Sequence, residues 1–313
     1  MIIKKIIFTH GGGRFGNQLL NYIHLSAFGL EYDSVSIKQN SLNEYLVSQE
    51  ITYIVSKGKI CHLAIVDNKR QSKPAMIFSR IIKNSKIRIR HFFIHYFTKN
   101  KSLIIGESGN NIGYLSGEKY KVLILNSEFF NSLNEKTLLA GWNIRNWELV
   151  NKWRETISKN LLNTLKQKDS ITNNYSIGVH IRGNDFKTHA DGVLYFNNDE
   201  WMEAIKIIEK KLKVKNIIIM SDELQDWDSI LMDNNHWKLS SGSYGQDGDM
   251  FNSFSDLLKC DVILTAGSTF ALMAAWISNV KVIDISSIER DMPINLMEFN
   301  EWSKHNNFLM NWK

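Results

Sequence analysis

SIGVHIRGNDF, residues 176–186, sets an alternating apolar run against a histidine and an arginine and then closes on Gly-Asn-Asp. Along a β-strand side chains alternate, so Ile177, Val179 and Ile181 share one face while His180 and Arg182 share the other, just where the strand runs out. Three later runs have the same β-branched or apolar character, at 216–220, 261–265 and 281–285, and helical patterns separate them at 199–212, 250–258 and 270–277. Strands alternating with helices imply βαβ units, hence an α/β fold with a parallel sheet covered on both faces.

In open α/β sheets the ligand crevice lies outside the carboxyl ends of the strands. The arginine at 182 is one of four polar groups expected there, with Ser221-Asp222-Glu223, Gly267-Ser268-Thr269 and Asp284 at the ends of the later strands. Ser268 and Thr269 precede an apolar helix, so they can cap it and offer hydroxyls and amides to an anion at its positive end. Arg182 can grip the same anion through paired hydrogen bonds whose geometry lysine cannot match. Each residue alone has an ordinary structural reading: a helix cap, a first-turn carboxylate, a buried histidine. Their convergence at strand ends favours a pyrophosphate clamp.

The first half opens with a strand at 2–8 and a helix at 17–29, joined by THGGGRFGNQLLNY, residues 9–22. Gly11, Gly13 and Gly16 satisfy G-x-G-x-x-G, the spacing of a dinucleotide turn. The run after the helix, SVSIKQN, ends in Lys38, Gln39 and Asn40, without the carboxylate that would hold a ribose. A Walker loop fails too, because Asn17 and Gln18 stand where Lys and Ser or Thr are needed. An ordinary tight turn would need the glycines but not Arg14, Asn17 and Gln18. Further on, 78–97 reads as a basic amphipathic helix, either a core helix with a solvated face or a surface that docks on an anionic membrane. A strand at 122–125 and a helix at 147–165 lead to a polar stretch, 167–174. The expected domains are 1–168 and 169–313, with the closing segment 298–313 folded back on the first.

The chain has 313 residues, 43% hydrophobic and 22% charged, enough for two domains with proper cores. Its two cysteines, Cys61 and Cys260, form neither a disulfide framework nor a thiolate metal site. A lysine-broken N-terminal run is too short for a signal peptide, and no segment has about 18 uninterrupted apolar residues, so a cytoplasmic protein is expected. The net charge of +6 favours anionic partners, and no recognition motif accompanies it to suggest nucleic acid.

The motifs resemble, in order, those of the GDP-fucose-dependent fucosyltransferases, the superfamily of bacterial α1,2-, α1,6- and protein O-fucosyltransferases. HIRGND, residues 180–185, is similar to their H-x-R-x-x-D element, and GRFGNQ, residues 13–18, to the N-terminal G-x-x-GNQ signature, in its protein O-fucosyltransferase form above all. IMSDELQDW, residues 219–227, and GSTFALMAAWISN, residues 267–279, resemble FSDDIEW and STFSWWGAWLN of the α1,2 family. Gly183 stands where the α1,2 enzymes usually have a second arginine, and the SWW aromatics are absent.

The resemblance implies a GT-B arrangement, two Rossmann-like domains facing a cleft, and inverting transfer of L-fucose from GDP-fucose to a glycan hydroxyl. An α1,2-linked galactoside in surface polysaccharide synthesis is the expected acceptor, lipid-linked if the 78–97 helix meets a membrane. It assigns catalysis to Arg182, Asn17 and Asp185. Donor binding falls to Gly13, Arg14, Gly16, His180, Arg182, Asp222, Asp249, Ser268 and Thr269. Asp249 is the nearest match to the acidic residue that holds guanosine, and it closes the D-x-D run Asp247-x-Asp249. No metal or other cofactor is implied. Asp185, Glu223 and Asp222 stay open as the general base. Two other functions stay open as well, an NAD(P)-dependent Rossmann oxidoreductase and a non-catalytic nucleotide-sugar-binding relative.

Overall fold

The computed structural model describes residues 4–10, 15–39, 53–56, 59–62, 102–105, 123–133, 135–140, 144–165, 175–222, 235–240 and 250–305. Gly11, Gly13, Arg14, the basic run 78–97, the stretch 167–174, Glu223, Asp247 and Asp249 lie outside the described residues. The chain divides into two compact units, with the division between Thr164 and Leu165.

In the first unit β1 (Lys4–His10) leads to α1 (Phe15–Glu31) and β2 (Val35–Gln39). Short strands follow: β3 (Tyr53–Ser56), β4 (Lys59–His62), β5 (Ser102–Ile105) and β6 (Leu123–Ile124). Then come α2 (Ser127–Ser132), β7 (Lys136–Ala140), β8 (Ile144–Arg145), α3 (Trp147–Lys152) and α4 (Arg154–Leu165). The sheet has the order β2-β1-β7-β5 with every pair parallel. Leu25 and Phe28 of α1 join Ile6, Phe8, Ile37 and Leu139 in its core. The single helix expected over 147–165 is two, broken at Trp153, whose indole donates to Glu31 Oε2 at 2.8 Å. The interruption is one residue wide, since Trp153 N donates to Leu149 O and Ile157 N to Trp153 O, each at 3.0 Å.

The second unit runs β9 (Tyr175–Ile181), α5 (Asn198–Lys211), β10 (Val214–Ser221), β11 (Trp237–Leu239), α6 (Met250–Leu258), β12 (Val262–Thr265), α7 (Thr269–Ser278), β13 (Lys281–Asp284) and α8 (Phe299–His305). Its sheet has the order β11-β10-β9-β12-β13, all parallel. Counted within the unit this is 3-2-1-4-5, so the direction of winding reverses between β9 and β12. That reversal is where a crevice opens in such sheets. Ile177, Val179 and Ile181 pack with Trp201, Ile205 and Ile208 of α5, the face the alternation predicts. A capping box between Asn197 and Glu200 starts α5.

On the opposite face α6 lies flush against β9. A Cβ built at Gly178 would stand 2.7 Å from Leu257 Cδ2 and 2.9 Å from Cys260 Sγ, closer than carbon and sulfur tolerate. The described part of the closing segment packs within the second unit, where α8 lies against α7 and β13 and Trp302 is buried.

The close approach at Gly178 generates a prediction. Gly178→Ala should lower stability by about 1–3 kcal/mol through overpacking, read as a drop in the urea midpoint. A midpoint equal to wild type would show that the helix layer has room to spare.

Candidate active site

Four strand-end residues of the second unit meet around the switch point. His180 is the last but one residue of β9 and pairs across the ladder with Thr265, the last of β12. The β12 chain then turns through Gly267, with φ of 94°, a left-handed conformation that side chains disfavour. Ser268 caps α7, its hydroxyl accepting from Ala271 N at 3.2 Å. The same hydroxyl lies 2.9 Å from His180 Nδ1, which joins the end of β9 to the start of α7.

The turn is fastened from behind as well. Thr265 Oγ1 accepts from the amides of Gly267 at 3.1 Å and Ser268 at 3.3 Å. Ser268 therefore serves as cap and bridge, and Thr269, half-buried at the first helical position, is the hydroxyl and amide left at the positive end of α7. Phe270 stacks on the His180 ring, centroids 5.0 Å apart and planes 27° off parallel, and meets Phe254 edge-on at 5.2 Å.

Arg182 follows β9 directly. Its Nη1 is 2.5 Å from Asp222 Oδ2, and the other oxygen of that carboxylate accepts from Gly183 N at 2.9 Å. One aspartate thus fixes both the arginine side chain and the backbone behind it. The guanidinium carbon lies 5.9 Å from the Phe186 ring centroid, within cation–π reach. Both partners of the ion pair are about one-sixth exposed, 16% each, so the pair lines a surface and is shielded from most solvent.

The other site residues expected from sequence are more dispersed. Asp185 lies in a 3₁₀ turn, Asn184–Lys187, just past Arg182. Gly16 and Asn17 open α1 of the first unit, the glycine buried and Asn17 half-buried. Asp284 spends its carboxylate internally: Oδ1 accepts from Ser286 N at 3.0 Å and from its hydroxyl at 2.7 Å, and Oδ2 from the Trp302 indole at 3.1 Å. Thr265, Phe186, Phe270 and Trp302 were not singled out from the sequence. Only Thr265, at a strand end, had a positional signal there.

Burial, and then the adjacent Arg182 charge, push the His180 pKa down to about 4, with Asp222 pulling weakly the other way. The imidazole is neutral at pH 7, so it bridges to Ser268 without adding a second cation beside Arg182. A second buried imidazole, His24 of α1, accepts from Asn146 N at 2.9 Å, and burial together with Arg145 holds its pKa well below the usual histidine range.

No family model matches the chain, and no curated protein matches it in sequence. Solved structures do resemble it. A structure of POFUT1 in complex with GDP shares 11% identity over 90% of this chain and 96% of that one, with a TM-score of 0.47. The fucosyltransferase NodZ from Bradyrhizobium shares 13% over 94% and 98%, TM-score 0.46. NodZ α-1,6-fucosyltransferase soaked with GDP-fucose shares 12% over 95% and 99%, TM-score 0.46. Among the described residues no three His, Cys, Asp or Glu side chains gather in a group that could hold a metal ion, and no helix is long and apolar enough to cross a membrane.

The buried imidazoles make stability depend on pH in a stated direction. An unfolded histidine takes a proton near 6.5, whereas folded His180 resists until about 4, so its contribution is complete above 6.5 and is lost as pH falls between those values. At about 1.36 kcal/mol per pH unit this is roughly 3 kcal/mol from His180. The urea midpoint should therefore fall from pH 7 to pH 5, less steeply in His180→Gln and least in a variant that also carries His24→Gln. Parallel slopes in all three proteins would contradict the assignment.

Proposed function

We propose that this protein transfers L-fucose from GDP-fucose to a hydroxyl of an acceptor glycan. The observation that carries the reading is Arg182, held by Asp222 at the rim of β9 beside the positive end of α7, at the point where the sheet reverses its winding. A guanidinium and a helix start converging on one crevice suit a diphosphate. The ordered motifs around 13–18, 180–185, 219–227 and 267–279 resemble those of GDP-fucose enzymes and supply the identity of nucleotide and sugar.

In this reading the acceptor oxygen attacks the fucose anomeric carbon from the face opposite the diphosphate, and configuration inverts. The bond from that carbon to the β-phosphate oxygen breaks, its electron pair leaves with GDP, and the acceptor proton passes to a general base. Negative charge grows on the departing phosphate, and Arg182 with the Thr269 hydroxyl and amide offsets it, with no metal required by the scheme. Asp222 engages Arg182 and Gly183 through its two oxygens, so its part is to hold that arginine, and Asp185 and Glu223 are the better candidates for the base. His180 and Ser268 shape the crevice from β9 and α7, and Asp249 is assigned to the guanosine. The two units form the two Rossmann-like halves of a GT-B enzyme, with Gly13, Arg14, Gly16 and Asn17 serving the same donor from the first. An α1,2-linked galactoside of a surface polysaccharide is the acceptor this reading prefers, made in the cytoplasm, with 78–97 as the segment that meets a membrane if the acceptor is lipid-linked.

The test is GDP release from GDP-fucose in the presence of a panel of galactosides, with GDP-mannose as control. Arg182→Ala should lower kcat by about 10²–10³-fold, the usual loss when one donor to a developing oxyanion is removed, and Arg182→Lys should recover little of it, lacking the fork. Asn17→Ala should also impair turnover. Binding of NAD without affinity for GDP would replace this reading with an oxidoreductase, and tight GDP-fucose binding without GDP release would replace it with a non-catalytic sugar-nucleotide receptor.

A further inference from the structure

The turn that starts α7 has a backstop that comes from elsewhere in the chain. Gly267 adopts φ of 94°, and a Cβ placed on it would stand 3.5 Å from Cζ2 and 3.7 Å from Cη2 of Trp302. The edge of that indole therefore lies on the side of the turn toward which a side chain at 267 would project, at ordinary contact distance from such a Cβ. Trp302 is 1% exposed, and its Nε1–H donates to Asp284 Oδ2 at 3.1 Å. Asp284 is pinned in turn, because its other oxygen accepts from the Ser286 amide and hydroxyl. Trp302 N donates to Glu298 O at 2.9 Å, which seats the indole at the start of α8.

These contacts make a chain of supports from the end of β13, through an indole, to the residue before Ser268. On the far side the turn is held by the Thr265 hydroxyl and by His180. A rigid turn matters here because the Thr269 hydroxyl and amide have to be aimed before the ligand arrives, and a donor displaced by even 1 Å loses much of its effect. An indole offers a flat, stiff surface with one polar anchor, which is what a backstop of fixed position requires.

We infer that Trp302, anchored by Asp284, is a positioning residue that sets the aim of the α7 start toward the diphosphate of the donor. The inference rests on the donor reading above and adds to it a part for the closing helix. It gives Trp302 no contact with substrate.

Two variants test it, Trp302→Phe, which keeps a ring and loses the N–H, and Asp284→Asn, which keeps the shape and weakens the acceptor. Hydrogen exchange read without any ligand should show faster exchange at the amides of 267–272 in both, with β9 and α5 protected as in wild type. GDP affinity should weaken by about 3–10-fold and kcat with GDP-fucose should fall by at least as much, because the misaimed group is a donor to the departing phosphate, while the acceptor KM stays within about 2-fold; general destabilisation would lower kcat through the active fraction and leave GDP affinity unchanged. Unchanged exchange at 267–272, or unchanged GDP affinity in variants whose exchange has risen there, overturns the backstop. The exchange pattern in both variants, together with a wild-type protein that binds no GDP, overturns the donor reading instead, and with it the ligand this aim is meant to serve.

Discussion

The arrangement of the site depends on one carboxylate. Asp222 stands at the end of β10 and reaches across to the end of β9, where one oxygen meets the Arg182 guanidinium and the other the Gly183 amide. An arginine in a partly shielded crevice has many rotamers and a large cost of ordering. Without a partner it would fold back onto any nearby carbonyl. Holding both the side chain and the peptide that follows it restricts the arginine to one position at the sheet rim, before any anion is present. A paired charge of this kind adds little to stability, and its better-supported use is to specify geometry.

The histidine beside it solves a related electrostatic difficulty. A positive imidazolium at 180 would stand next to Arg182 in a region with little water, and each charge would oppose the other. Burial keeps the ring neutral, so it can accept or donate at Ser268 and stack on Phe270 without opposing the Arg182 charge beside it. The cap, the bridge and the stack are therefore one construction. Among the polar residues at the strand ends, Thr265 and Ser268 are spent on holding the turn, and Arg182 is held by Asp222.

Much of the second unit could be read in the sequence because parallel strands buried on both faces leave near-continuous apolar runs, and the helices between them keep a 3.6-residue period. The bounds of α6 and of the four longer strands fall within about two residues of the reading. β11, three residues long, is too short to produce a pattern, and β5 and β7 of the first sheet, though Gly106 and Gly141 follow them directly, are only four and five residues long. The break at Trp153 has no glycine or proline to mark it in the sequence. In the site, Arg182, Asp222 and Ser268 were legible because the fold rule places them at strand ends. Trp302 and Phe270 were not, since an aromatic residue in a helix reads as core until its neighbour in space is known.

The strand order carries a consequence for how the protein is made. β9 is the central strand of its sheet and the first to leave the ribosome, but its neighbour β12 follows far behind: the Ser176 amide bonds to Asp261, 85 residues later. At translation rates of about 5–20 residues per second, that interval lasts on the order of 4 to 17 s. Throughout it one edge of β9 is unpaired, with Ile177, Val179 and Ile181 in a segment prone to join another nascent chain. The arginine that the finished crevice depends on is thus synthesised long before the walls that will enclose it, and a chaperone that shelters an exposed strand edge would act on this protein during that interval.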